Sequence, residues 1–88
     1  MVDISLYSWV VRGKQRRDLI RYIDESSTPS EIAKKSRYSL NHTSRVLNEF
    51  SKKGIARCIN PEEKTGRLYE LTSQGKELRD KIVKKDSR

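Results

Sequence analysis

One cysteine stands in 88 residues. With Cys58 alone, an internal disulfide and a cysteine-based metal site are excluded, and an unpaired thiol fits a reducing compartment. Histidine is as scarce: His42 is the single one. No Cys, Asp or Glu stands at ligand spacing on its helix, so no metal role is expected for it. No apolar run approaches the length of a membrane span. The opening residues, MVDISLYSWVVRG, carry an acid at Asp3 and no basic start before the apolar stretch, which is not a signal-peptide layout. There is no glycine-rich phosphate loop and no Ser/His/Asp or Cys/His set, and Glu62 and Glu63 fall in a turn rather than forming an acid–base pair. These absences lead us to expect a soluble, cytoplasmic protein that is not an enzyme, with no cofactor, no membrane partner and no evident small-molecule effector.

Acid is also scarce relative to base. Twenty Lys and Arg face 12 Asp and Glu, for a formal net charge of +8. Such a balance speaks to partners and solubility rather than to fold. Nucleic acid and anionic membrane surfaces are the partners it fits, and a merely solubilising surface is the plainer alternative. The apolar fraction is 33%, enough for one small core, and the length suits a single domain over 1–88.

What is present reads as a series of short elements. Residues 1–13, containing ISLYSWVV, form an ordered arm or short helix that divides from the next segment at Gly13. Residues 14–25 read as a helix with Leu19, Ile20 and Ile23 on one face and Lys14, Arg16, Arg17 and Arg21 around the rest. Residues 28–36 carry the clearest start: Thr28 as N-cap, Pro29 as first helical residue and Glu31 completing a capping box, with Ile32 and Ala33 facing inward. A three-residue turn leads to a helix over 39–53, with Ser39 able to cap it and Gly54 as the left-handed residue beyond its end. Its sequence, SLNHTSRVLNEF, places Val46, Leu47 and Phe50 on one face and Asn41, His42, Ser44, Arg45 and Asn48 mostly on the other. That outer face is rich in hydrogen-bonding groups yet carries one charge, Arg45.

Beyond Gly54 the period changes. Residues 55–72 read as a hairpin in which Ile59 pairs near Leu68 and Arg57 falls opposite Glu70. This register turns Ala56, Cys58, Tyr69 and Leu71 toward the core and leaves Ile59 and Leu68 exposed. Thr72 caps a last helix over 73–85, with Leu78 and Ile82 one turn apart and a frayed KKDSR tail.

A short capped helix, a tight turn and a longer helix with a polar face make a helix-turn-helix, whose second helix enters the major groove. Bases there are read as donor and acceptor patterns, which suits Asn for adenine and Arg for guanine. Leu40 can touch a thymine methyl or pack inward. Four blocks, RGKQRRDLIRYI, PSEIAKKS, TSRVLNEFSKKGIA and GRLYELTSQGKEL, resemble in order the winged-helix domain of MarR- and ArsR-class transcriptional regulators, in small archaeal-type versions. The resemblance covers most of the chain. It implies an α+β, mostly α fold: a winged helix-turn-helix with a three-helix core, a β-hairpin wing and a C-terminal helix. It further implies a sequence-specific regulator of transcription that binds double-stranded DNA. The 39–53 helix would then read bases through Asn41, His42, Ser44, Arg45 and Asn48, and Asn60 to Arg67 would be the wing, with Lys64 and Arg67 reaching the backbone. Lys34, Lys35, Arg37 and Ser39 would meet phosphates from the short helix and turn.

Two departures stand against that pattern. Glu62 and Glu63 put negative charge beside the wing tip, and the chain carries no counterpart of the long flanking helices through which MarR-type proteins dimerise and bind effectors. Ile4, Leu6, Trp9 and Val10 nonetheless offer apolar surface for a homodimer. Arg16 and Arg17 are either further backbone contacts or a solvated face. Tyr7, Trp9 and Tyr22 either stack on bases or pack the N-terminal segment, and Cys58 is either a redox sensor or a buried strand residue. The alternative function is a winged helix that serves as a protein-interaction or RNA- and ribosome-associated module, with Ile59 and Leu68 as its partner surface.

Overall fold

Asp3 starts the first helix: its carboxylate accepts from the N–H groups of Ser5 (2.8 Å) and Leu6 (3.2 Å), satisfying donors that have no partner within the helix. The computed structural model describes residues 3–23 and 26–86. Helix α1 spans Ile4–Arg12 and α2 spans Lys14–Leu19, with Gly13 extended between them. Val10, expected on an apolar surface, is fully buried instead. The segment expected to be helical over 14–25 stops being α-helical at Leu19 and tightens into a 3₁₀ turn over Ile20–Tyr22, after which Ile23 is extended. The reason lies in the core. Leu19, Ile20 and Ile23 are all buried, and a three-residue turn stacks Ile20 over Ile23 where an α-turn would rotate them apart. Residues 24 and 25 lie outside the described residues.

Helix α3 (Pro29–Ser36) opens on a complete capping box. Thr28 Oγ1 accepts from the Glu31 N–H (3.1 Å), and the Glu31 carboxylate accepts from the Thr28 N–H (2.9 Å). It closes on Arg37, which is left-handed with φ 67° and donates its N–H to Ala33 O (2.8 Å). Helix α4 (Leu40–Lys52) follows, with Ser39 Oγ accepting from the His42 N–H (3.1 Å). Its far end is stopped by a Schellman arrangement: Gly54, at φ 77°, donates to Ser51 O (3.2 Å), and Ile55 donates to Phe50 O (2.8 Å). Glycine tolerates that φ because it has no Cβ, and the buried Ile55 side chain closes the helix end hydrophobically.

Strands β1 (Ala56–Cys58) and β2 (Tyr69–Leu71) pair antiparallel, with Ala56 opposite Leu71, Arg57 opposite Glu70 and Cys58 opposite Tyr69. This is the expected register, and it extends through the Ile59 N–H to Leu68 O (2.8 Å). Arg57 and Glu70 form an ion pair on the outer face. Ile59 is exposed while Leu68 is only half-exposed. Ser27 exchanges two backbone hydrogen bonds with Tyr69 (2.8 and 2.9 Å) on the other edge of β2, so the approach to α3 is fastened to the hairpin.

Helix α5 spans Ser73–Asp86, one residue beyond the expected 73–85 and into the tail expected to fray; residues 87 and 88 lie outside the described residues. Thr72 joins three elements, accepting from the Gly75 N–H (3.1 Å) and donating to Gly54 O (2.7 Å). Leu78 and Ile82 bury beneath α5 and meet Leu19, Ile32, Leu47, Phe50 and Leu71 in one core. Among the described residues α1 to α5 all bury side chains in this core, and a helix-turn-helix followed by a hairpin makes the fold a winged helix-turn-helix. Among the described residues no helix is long and apolar enough to cross a membrane.

Candidate nucleic-acid interface

Helix α4 buries Thr43, Val46, Leu47 and Phe50. Advancing about 100° per residue, Asn41, Arg45, Asn48 and Lys52 fall within roughly 60° of arc on the opposite side, and all four are exposed. Among the described residues, the side chains of Asn41, Arg45 and Asn48 have no hydrogen-bond partner within the protein. A helix face whose donors and acceptors are left to solvent can exchange water for base edges without first breaking hydrogen bonds within the protein.

Two flanks border this face. On one, a cleft of about 490 Å³ is bounded by Thr28 to Ser30, by Leu40, Ser44 and Asn48 of α4, by Lys64 to Arg67 and by Tyr69. Leu40 is 50% exposed there rather than packed inward. On the other, a cleft of about 580 Å³ separates α2 from α4 and is bounded by Gly13 to Arg16, Tyr38, Arg45, Val46 and Glu49. Counting round the helix, His42 lies on this second flank, roughly 90° from the centre of the face, and it is half-buried.

The wing is ordered by Asn60, which the sequence placed in the wing without giving it a role. Asn60 accepts the Leu68 N–H on Oδ1 (2.7 Å) and donates through Nδ2 to Gly66 O (3.2 Å), closing the loop between the strands. The Cys58 thiol also points at Asn60 Oδ1 (3.7 Å). An Asn at a strand end just before Pro61 is a turn-forming signal in its own right. Arg67, expected to reach out to the backbone, has its donors on the wing itself: Nε donates to Glu63 O (2.7 Å) and Nη2 to Pro61 O (3.3 Å). Lys64 is exposed at the tip.

Lys34, Lys35 and Arg37 are exposed along the end of α3 and the turn, and Ser39 is engaged as the cap of α4. The turn is tied to α2 by a hydrogen bond from Tyr38 Oη to Asp18 Oδ2 (2.6 Å), and that bond to a carboxylate holds the Tyr38 phenol above the usual tyrosine range. At the start of α3, hydrogen bonds from the Thr28 N–H and hydroxyl hold the Glu31 carboxyl below the usual glutamate range.

The two arginines proposed together from sequence diverge. Arg16 turns to the α2–α4 cleft and stacks on Trp9, with Cζ 4.2 Å from the ring centroid. Arg17 faces away, in a hollow with Tyr7, Val11, Ile82 and Lys85. Trp9 itself packs edge-to-face on Phe50 at 6.0 Å, so its ring belongs to the N-terminal packing. Tyr7 lies under Lys81 Nζ at 5.4 Å. Among the described residues no group of three or more His, Cys, Asp or Glu side chains is placed to hold a metal ion.

No protein-family model and no curated protein matches the sequence. A solved structure does. The chain has the fold of a MarR family transcription regulator. The two superpose with a TM-score of 0.76 at 18% sequence identity, over 93% of this chain and 58% of that one. The likeness is one of fold, and this chain spans little more than half the regulator's length. In the MarR-like frame, α3, its turn and α4 form the helix-turn-helix and the hairpin from β1 to β2 is the wing.

Proposed function

We propose that the chain is a sequence-specific DNA-binding regulator of transcription, which lays α4 in the major groove and sets the wing and the α3–α4 turn against the backbone. The observation that carries this reading is the outer face of α4, where Asn41, Arg45 and Asn48 stand exposed and unengaged. Ser44 flanks them toward the wing, and His42, half-buried on the opposite flank, serves at the margin of the readout. Around this face lie the cations that would fix register without reading sequence: Lys34, Lys35 and Arg37 beside the turn and Lys64 on the wing. Arg67 acts in this scheme by bracing the wing loop, and Ser39 by capping the reading helix. The excess of base over acid supplies the salt-dependent part of the affinity. A homodimer on two half-sites is compatible with the exposed Ile4 and half-buried Leu6.

The test is a fluorescence titration with duplexes selected from a random pool, followed across salt concentrations. Arg45→Ala should lose about 1–3 kcal/mol of discrimination at the base pair it reads. Lys34→Gln and Arg37→Gln should weaken selected and scrambled duplexes alike, and each should reduce the salt slope by about one if its cation neutralises one phosphate. Absence of salt-sensitive duplex binding by the unaltered chain would overturn the reading.

A further inference from the structure

We propose that the cleft between α2 and α4 holds a second phosphodiester of the bound duplex, gripped by Arg16 with Lys14 beside it, on the flank of α4 that faces away from the wing. The inference rests on the reading of α4 as a major-groove helix.

The major groove is about 12 Å wide and a helix with its side chains is about 10–12 Å across. A helix seated there fills the groove, and each of its flanks meets one of the two phosphate walls. The wing borders one flank. The start of α2 borders the other, through a cleft that shares Arg45 with the reading face. Lys14, Arg16 and Arg45 line this cleft against a single acid, Glu49. Lys53 Nζ lies 5.1 Å from the Trp9 ring.

Arg16 is held as a phosphate ligand needs to be held. Its guanidinium lies 4.2 Å from the Trp9 centroid. On another side it is pressed against Gly13, where a Cβ would fall 2.5 Å from Nε and 2.6 Å from Cζ. Trp9 is fixed in turn by Phe50, which is fully buried. Stacking constrains the guanidinium through its face, whereas hydrogen bonds to an oxyanion are made in its plane, so the two do not compete. Among the described residues no carboxylate or carbonyl engages Arg16, and its Nε is a buried polar atom without a partner. Much of the entropy that a long side chain loses on binding is therefore already spent in the free protein. Arg17 provides an internal control: it has the same charge, is adjacent in sequence and faces the hollow between α1 and α5.

Fluorescence anisotropy of the full chain with labelled selected and scrambled duplexes, repeated over a salt series, tests the assignment. Arg16→Gln should weaken both duplexes equally and reduce the slope of log affinity against log salt by about one. Lys14→Gln should act in the same direction, and Arg17→Gln should leave the slope at the wild-type value. Equal slopes for Arg16→Gln and Arg17→Gln would overturn the proposal, because the effect would then be one of net charge. If circular dichroism shows that Arg16→Gln does not fold, Lys14→Gln decides the matter. Lys14 is exposed, so its neutralisation leaves packing intact, and an unchanged slope would overturn the proposal. Duplex binding that depends on Arg45 but is indifferent to Arg16 and Lys14 removes this inference alone. No duplex binding by the unaltered chain removes the functional reading and this inference together.

Discussion

Gly75 sits one turn into α5 where the helix crosses the Ile55 carbonyl, and a Cβ placed there would lie 2.0 Å from that oxygen. The obstacle is backbone, anchored by the Schellman closure of α4, so it cannot swing aside as a side-chain tip would. Gly75→Ala should therefore destabilise the fold by about 1–3 kcal/mol, the usual range for overpacking, although alanine is the better helix former. Urea denaturation followed by circular dichroism checks the sign; a stabilised variant would mean that α5 can lift from Ile55 without loss. The contrast with Gly54 shows what sequence can disclose about a single residue. Gly54 was legible because a glycine after an amphipathic run and before an apolar residue is a local pattern. Gly75 carries no such local signal, because the atom that demands it belongs to a distant segment. Arg16 is a similar case: its charge was evident, but the Trp9 ring that fixes it lies across the bend at Gly13.

Among the elements, α3 depends most on its ends. It has eight residues, too few for a stable isolated helix, and its first turn is held by the reciprocal Thr28–Glu31 bonds. Thr28→Ala should cost about 1 kcal/mol, read from the same denaturation curves. The carboxylate half of the box has a pH signature. Hydrogen bonding in the folded state lowers the Glu31 pKa, so its contribution is present above the unfolded glutamate value of about 4.3 and is lost as pH falls through that value and the lower folded one. The stability difference between wild type and Glu31→Gln should accordingly be largest near neutrality and shrink in acid; a difference that grows in acid would assign the shift elsewhere. The capping box, the helix-turn-helix spacing and the strand register were all readable, because each is written in residues a few positions apart or in a two-residue alternation. The 3₁₀ turn at Ile20 and the bridge from Ser27 to Tyr69 were not, since both answer to the core and the hairpin rather than to their own neighbours. The wing was readable as a loop between strands, but its bracing by Asn60 and Arg67 was not. Those two residues satisfy carbonyls and amides whose positions exist only once the hairpin has formed.

At the scale of the whole molecule, the formal charge of +8 is spread over α2, the α3–α4 turn, the wing and α5, and Glu62 and Glu63 interrupt it beside Lys64. Both acids are exposed. The wing does not need their carboxylates for its shape, because Arg67 bonds to the backbone carbonyls of Pro61 and Glu63. Neutralising them therefore separates field from structure. In the DNA-binding reading, Glu62→Gln/Glu63→Gln should tighten binding to every duplex at moderate salt, since two repulsive charges leave the neighbourhood of a phosphate wall. The ratio of selected to scrambled affinity should stay constant, because base edges are read by α4 and not by the wing acids. The gain should fade as salt rises, given a Debye length near 8 Å at physiological ionic strength and about 3 Å at 1 M. Parallel titrations of wild type and the double variant from low to high salt measure all three effects. A change in sequence preference would place the wing in base reading. Unchanged affinity at low salt would show that the wing stays clear of the duplex, leaving α4 and its α2 flank to form the interface.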